Sequence, residues 1–193
     1  VLAWIKDVLG FSTIEYLIFG LVLLSSIFIG YIFWIKVGNN PKYGKTKGFI
    51  YAMVFLAIVM PSMSIIGQLP IIIPIILQAI IFAILTSFGL SAYYLMPYAI
   101  VADIAEEDER RTGESRAGMY YGFESIPLNI AQFIGYLFTG ALLDFLPKMT
   151  NYAGREFSSG YIAFGPIASV IILASVVVFW RYVNADPLKD KNP

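Results

Sequence analysis

The sequence predicts an all-α membrane protein, a helical bundle forming one transmembrane domain over residues 1–193. Three observations carry this reading. The chain is 59% hydrophobic and only 13% charged, whereas soluble domains carry about a quarter charged residues. Its mean hydropathy is +0.75. Its apolar residues also fall into long runs, and roughly 20 such residues cross about 30 Å of hydrocarbon as a helix.

The opening stub "VLAWIKDVL" reads as the outer end of a further helix, with a short interfacial helix anchored by Trp4 as the alternative. "EYLIFGLVLLSSIFIGYIFWIK" supplies the first full span, residues 15–36. The uncharged run from Phe49 to Ala102 is too long for one crossing. It divides at "GQLPIIIP", where two prolines and a glycine stop a helix, into spans 49–66 and 75–102. Spans 118–143 and 160–180 complete five. Connections are short, so neighbours pack as antiparallel hairpins.

Cytoplasmic loops are enriched in Lys and Arg. Lys36, Lys42, Lys45, Lys47, Arg110, Arg111, Arg116, Arg181, Lys189 and Lys191 fall on one side. Lys6, Lys148 and Arg155 fall on the other. Loops 37–48 and 103–117 and the tail 181–193 are therefore expected to be cytoplasmic, in a multi-pass protein of the cell membrane. Formal net charge is zero, so no basic face invites nucleic acid. Cys and His are both absent, which removes disulfides, thiolate chemistry and His-based proton transfer. No cofactor is expected, and an enzyme is the least favoured class. The one acid-rich cluster is an exposed loop without metal-ligand spacing.

The fourth span is not apolar all round. At 100° per residue, Glu124, Ser125, Asn129 and Gln132 share an arc of about 140° with Tyr121, Gly135, Tyr136 and Thr139. The opposite face is Phe, Ile, Leu and Pro. Glu124 lies about 9 Å along the axis from Gly118. A carboxylate at that depth marks a transport pathway by default, the alternative being a protonated Glu bonded to a neighbouring helix. Tyr94 and Tyr98, four residues apart on the third span, share a face and are the aromatic candidates for stacking on a sugar. An ordinary interfacial belt is the alternative for Tyr98. Pro97 between them loosens the helix or merely kinks it.

"AIVADIAEEDERRTGESRAGMYYG", Ala99 to Gly122, resembles the loop between the tenth and eleventh helices of glycoside–pentoside–hexuronide:cation symporters. These are melibiose-permease-like members of the major facilitator superfamily. The shared signature is an Ala-Asp closing one helix, acids three and six positions on (Asp103, Glu106, Glu109), a basic stretch with Arg110 and Arg111, and a small-residue start to the next helix. "PKYGKTKG", Pro41 to Gly48, is similar to the basic loop joining the eighth and ninth helices. The resemblance implies the C-terminal half of the superfamily fold, from the end of a seventh helix through the twelfth. It implies a symporter of a sugar or glycoside coupled to Na⁺ or H⁺. The acids and arginines of the loop would latch onto an N-terminal six-helix half. The family's aromatic near the sugar falls at Tyr94. Asn129 stands where the family has a lysine tied to cation coupling. The family's cation-binding carboxylates belong to the first six helices, so no cation site is assigned here. Two other readings stay open. Related lipid carriers share the loop signature, and a lined apolar groove would mark one. A membrane interaction subunit without transport is the second.

Overall fold

The computed structural model describes residues 4–40, 43–67, 73–151 and 154–184. Among them, five helices are long and apolar enough to cross a membrane: α1 (Thr13–Gly38), α2 (Gly44–Val59, continued by a 3₁₀ turn, Met60–Ser64), α3 (Ile75–Thr112), α4 (Ala117–Phe145) and α5 (Gly160–Asn184). The fold is an all-α membrane bundle. Its outer surface is greasy: Leu21, Leu24 and Phe28 of α1 are exposed, as a face turned to lipid requires.

Local chemistry sets the helix ends. Ser12 begins α1 with a capping box: its hydroxyl accepts from the Glu15 N–H, and the Glu15 carboxylate accepts from the Ser12 N–H. Between α2 and α3, Gly67 is left-handed and Pro74 immediately precedes α3. The predicted break therefore falls here, although Gln68–Ile72 lie outside the described residues. Gln78 ties its two sides, accepting from the Gly67 N–H and donating to Ile73 O.

The loops differ from expectation. Of 37–48, only Asn39, Asn40 and Tyr43 are not helical among the described residues. Of 103–117, the helix persists through Thr112 and ends at left-handed Gly113. Apolar run length marks where a chain leaves hydrocarbon, whereas Glu, Lys and Arg are good helix formers that carry the coil beyond it. A further difference is a short antiparallel hairpin, β1 (Lys148–Thr150) and β2 (Glu156–Ser158), with Met149 opposite Phe157.

The π-helical turn Ile5–Leu9 packs beneath that hairpin. Trp4, Ile5, Val8 and Leu9 are buried with Phe82 and Phe157, the Trp4 and Phe82 rings 5.6 Å apart. Trp4 is thus a core residue and not an interfacial anchor. Asn151 donates to Val8 O at 2.8 Å, and the Tyr161 hydroxyl to the Asp7 carboxylate at 2.7 Å.

The α1–α3 pair makes the most extensive contact, followed by α5 with α2 and its turn and then by α3 with α2. Gly30 lies against Ser91 so closely that a Cβ would sit 2.1 Å from the Ser91 hydroxyl. Small residues at such crossings let backbones approach where hydrophobic drive between helices is weak. Side-chain donors then bridge the helices. The Trp34 indole donates to Phe88 O at 2.8 Å.

Prolines create two further bridges. Pro166 has no N–H, so Ile162 O loses its helical partner; the Ser64 hydroxyl of the α2 turn donates to it. Pro61 likewise leaves Ala57 O free, and Ser169 of α5 donates to it at 2.6 Å. Each of the two segments repairs the other's proline defect. Gly165 permits the approach, since a Cβ there would lie 2.4 Å from Met60 O.

Candidate functional site

The helix that carries the polar arc is the least covered of the five. No residue of α4 is buried among the described residues, and its contacts to α3 and α5 are sparse. Three side chains of the arc are satisfied within their own helix. Ser125 donates to Gly122 O at 2.9 Å, Asn129 to Ser125 O at 2.8 Å and Thr139 to Gly135 O at 2.7 Å. Such back-bonds quiet side-chain donors without a second helix. Glu124 is different: it is half-buried, and its Oε2 is sealed with no hydrogen-bond partner among the described residues.

The predicted pathway residues divide into two groups. Tyr94 and Gln132 meet in a cleft of about 410 Å³ between α3, α4 and α5, with Tyr93, Tyr136 and Thr139 on its wall. Glu124, Ser125, Asn129 and Tyr98 do not line it. Tyr98 instead faces Tyr121, one helical turn before Glu124, with ring centroids 6.4 Å apart and planes tilted 32°. The helix runs through Pro97 without a break.

A larger space was not anticipated. A chamber of about 550 Å³ lies between α2, α3 and α5, lined by Phe49, Met53, Met60, Met63, Phe82 and Phe179 among others, with no residue of α4. Continuous apolar runs carried no sign of it, because packing gaps depend on how helices cross and not on residue type. Thr86 and Ser87 of α3 are buried nearby, with hydroxyls that have no hydrogen-bond partner among the described residues.

At the charged end, the two segments quoted above come together. Lys45 of α2 pairs with Asp103 of α3 at 2.5 Å and also reaches Ala99 O at 3.4 Å. In the charged extension beyond the apolar part of α3, Glu107 holds both arginines: its oxygens lie 2.7 Å from Arg110 and 2.6 Å from Arg111. Arg111 first and Arg110 second keep the Glu107 carboxyl below the usual carboxylate range. Lys45 and Glu107 were not among the expected latch residues. Glu106 and Glu109 are exposed without an ion pair among the described residues. No three carboxylates among the described residues gather into a set that would hold a metal ion.

A family model described as MFS/sugar transport protein matches residues 3–184. The chain belongs to that family. An uncharacterized symporter from Synechocystis sp. is 31% identical over 62 residues, which cover 32% of this chain and 11% of that protein. No solved structure matches. In this member of the MFS/sugar transport family, the Lys45–Asp103 pair binds α2 to α3 at the end where both signature segments lie.

Proposed function

We propose that the chain is the C-terminal half of a secondary active transporter, moving a sugar or glycoside with Na⁺ or H⁺ by alternating access. The observation that carries the reading is the polar arc of α4, borne on a helix that the rest of the described chain leaves uncovered. Facing lipid, Glu124 and Gln132 are expensive; facing a second bundle near the bilayer midplane, they line a route. The partner is an N-terminal six-helix half, and the charged end, with the C-terminus, faces the cytoplasm. Tyr94 offers a ring face and Gln132 an amide to a polyhydroxyl solute. Exposed Glu106 and Glu109 are left to pair with cations of the other half, while Glu107 occupies Arg110 and Arg111 within this one.

In the full-length protein, Glu124→Gln lowers uptake by at least about tenfold, the loss expected when a charged group acts in the transport step, while membrane insertion stays intact. Unchanged uptake kinetics overturn the pathway role. The apolar chamber favours a second reading, a lipid cargo. Competition of uptake by glycosides but not by lysolipids decides for the first.

A further inference from the structure

The spans of this chain hold no counter-ion for Glu124. It is the only Asp, Glu, Lys or Arg between Gly118 and Leu143, and neither Ile75–Ala102 of α3 nor Gly160–Trp180 of α5 carries one. In α1 the charges Glu15 and Lys36 stand at the two ends. Charges at the other helix ends are engaged with each other, Lys45 with Asp103 and Arg116 with Glu114. At the far end of α5, Tyr161 donates to Asp7. The titratable groups along the α3–α4 seam are phenols. Tyr98 of α3 lies against Tyr121 one turn before Glu124, and Tyr94 stands four residues away on α3. An isolated carboxylate taken out of water is costly unless a cation neutralises it.

The two carboxyl oxygens differ. Oε2 is closed to water and accepts no hydrogen bond from the described residues, whereas Oε1 is not closed off. A hydrated alkali ion cannot reach an oxygen that water does not touch. Hard cations also gather several oxygens around them. The polar neighbours on the arc are committed elsewhere: Ser125 donates to Gly122 O at 2.9 Å and Asn129 to Ser125 O at 2.8 Å. A proton needs neither room nor a ligand set. On Oε1 it turns the carboxylate into a neutral acid and leaves Oε2 a carbonyl oxygen. A glutamic acid held for structure alone would be bonded to a neighbouring helix, and no such bond is present among the described residues.

We propose that Glu124 carries the coupling proton, so that the symported cation is H⁺ and not Na⁺. The proton binds Oε1 from the water of one face and leaves to the water of the other, the acid returning to carboxylate with no other bond changed. This rests on the transport reading and names the ion that it left as Na⁺ or H⁺.

The test has two arms, both on the full-length protein. In nanodiscs, the infrared difference between the unmodified protein and Glu124→Gln isolates this one carboxyl. A protonated-carboxyl band is expected at neutral pH, lost reversibly as pH rises and indifferent to replacing K⁺ by Na⁺. Absence of the band at neutral pH overturns the proposal, as does a band that Na⁺ removes or that high pH leaves untouched. In proteoliposomes, uptake is read with radiolabelled methyl galactoside and methyl glucoside. A tenfold inward proton gradient at zero voltage concentrates the solute up to about tenfold for one proton per solute, and an equal Na⁺ gradient alone concentrates none. Glu124→Gln ends concentration but still exchanges labelled for unlabelled solute. Should the variant fail to insert, Na⁺-driven concentration by the unmodified protein overturns the proposal without it. Loss of exchange together with concentration makes Glu124 a route residue only, overturning the proton while the transport reading stands. An unmodified protein that exchanges neither glycoside counts against the transport reading, and the infrared band still decides the proton.

Discussion

Removing the Ser64 hydroxyl isolates the Ile162 carbonyl, because Pro166 cannot supply the helical N–H. An orphaned buried acceptor costs about 1–3 kcal/mol. Interhelical side-chain bonds in membranes average nearer 0.6 kcal/mol, with a ceiling of about 1.7. Ser64 is only part-buried, so Ser64→Ala is expected to destabilise by about 1 kcal/mol. Pro166→Ala restores a backbone donor to Ile162 O, and in that background Ser64→Ala costs less than about 0.5 kcal/mol. The assay is a double-mutant cycle on the full-length protein, unfolded reversibly in mixed micelles. The same design applies to Ser169→Ala with Pro61→Ala on the opposite carbonyl. If Ser64→Ala costs the same whether residue 166 is Pro or Ala, the hydroxyl is not repairing the proline defect and the reasoning fails.

Gly165→Ala places a Cβ 2.4 Å from the Met60 carbonyl; backbone cannot swing aside, so a loss of about 1–3 kcal/mol is expected in the same unfolding assay. In the Lys45–Asp103 pair Asp103 is exposed and Lys45 only partly so, so Lys45→Ala is expected to cost about 1 kcal/mol, near the upper end for a surface pair; a much larger loss in a salt-dependent unfolding series would place the pair in a drier setting. Glu107 has a depressed folded-state pKa, so its contribution is full above the ordinary glutamate range and is lost as pH falls through the lower folded value. A carbon-13 titration of its carboxyl is expected to find a midpoint below that of an ordinary glutamate, and Arg111→Gln to move it upward.

What was legible in the sequence followed from solvent. Lipid demands apolar residues over a fixed length, so all five spans could be placed from runs of Ile, Leu and Phe. The charged residues at the tips did not mark the helix ends, because Glu107, Arg110 and Arg111 propagate a helix as readily as Leu does. The arc of α4 was legible through the 3.6-residue period, which converts Glu124, Ser125, Asn129 and Gln132 into neighbours. Its division was not: the period fixes direction around the axis and is silent on which neighbour covers which turn. Gln132 therefore reached the cleft with Tyr94 while Glu124 did not. The chamber and the serine–proline pairs lay furthest from view. Ser64 and Ile162 are 98 residues apart, Ala57 and Ser169 are 112 apart, and only the crossing of α5 over the α2 turn makes their positions meaningful. A serine in an apolar run looks like a tolerated impurity. Placed opposite a proline on another helix, it becomes the donor that lets both prolines stay within lipid. Helix interiors otherwise exclude proline, so each such residue in a membrane sequence poses a question that a distant Ser, Thr or Trp can answer.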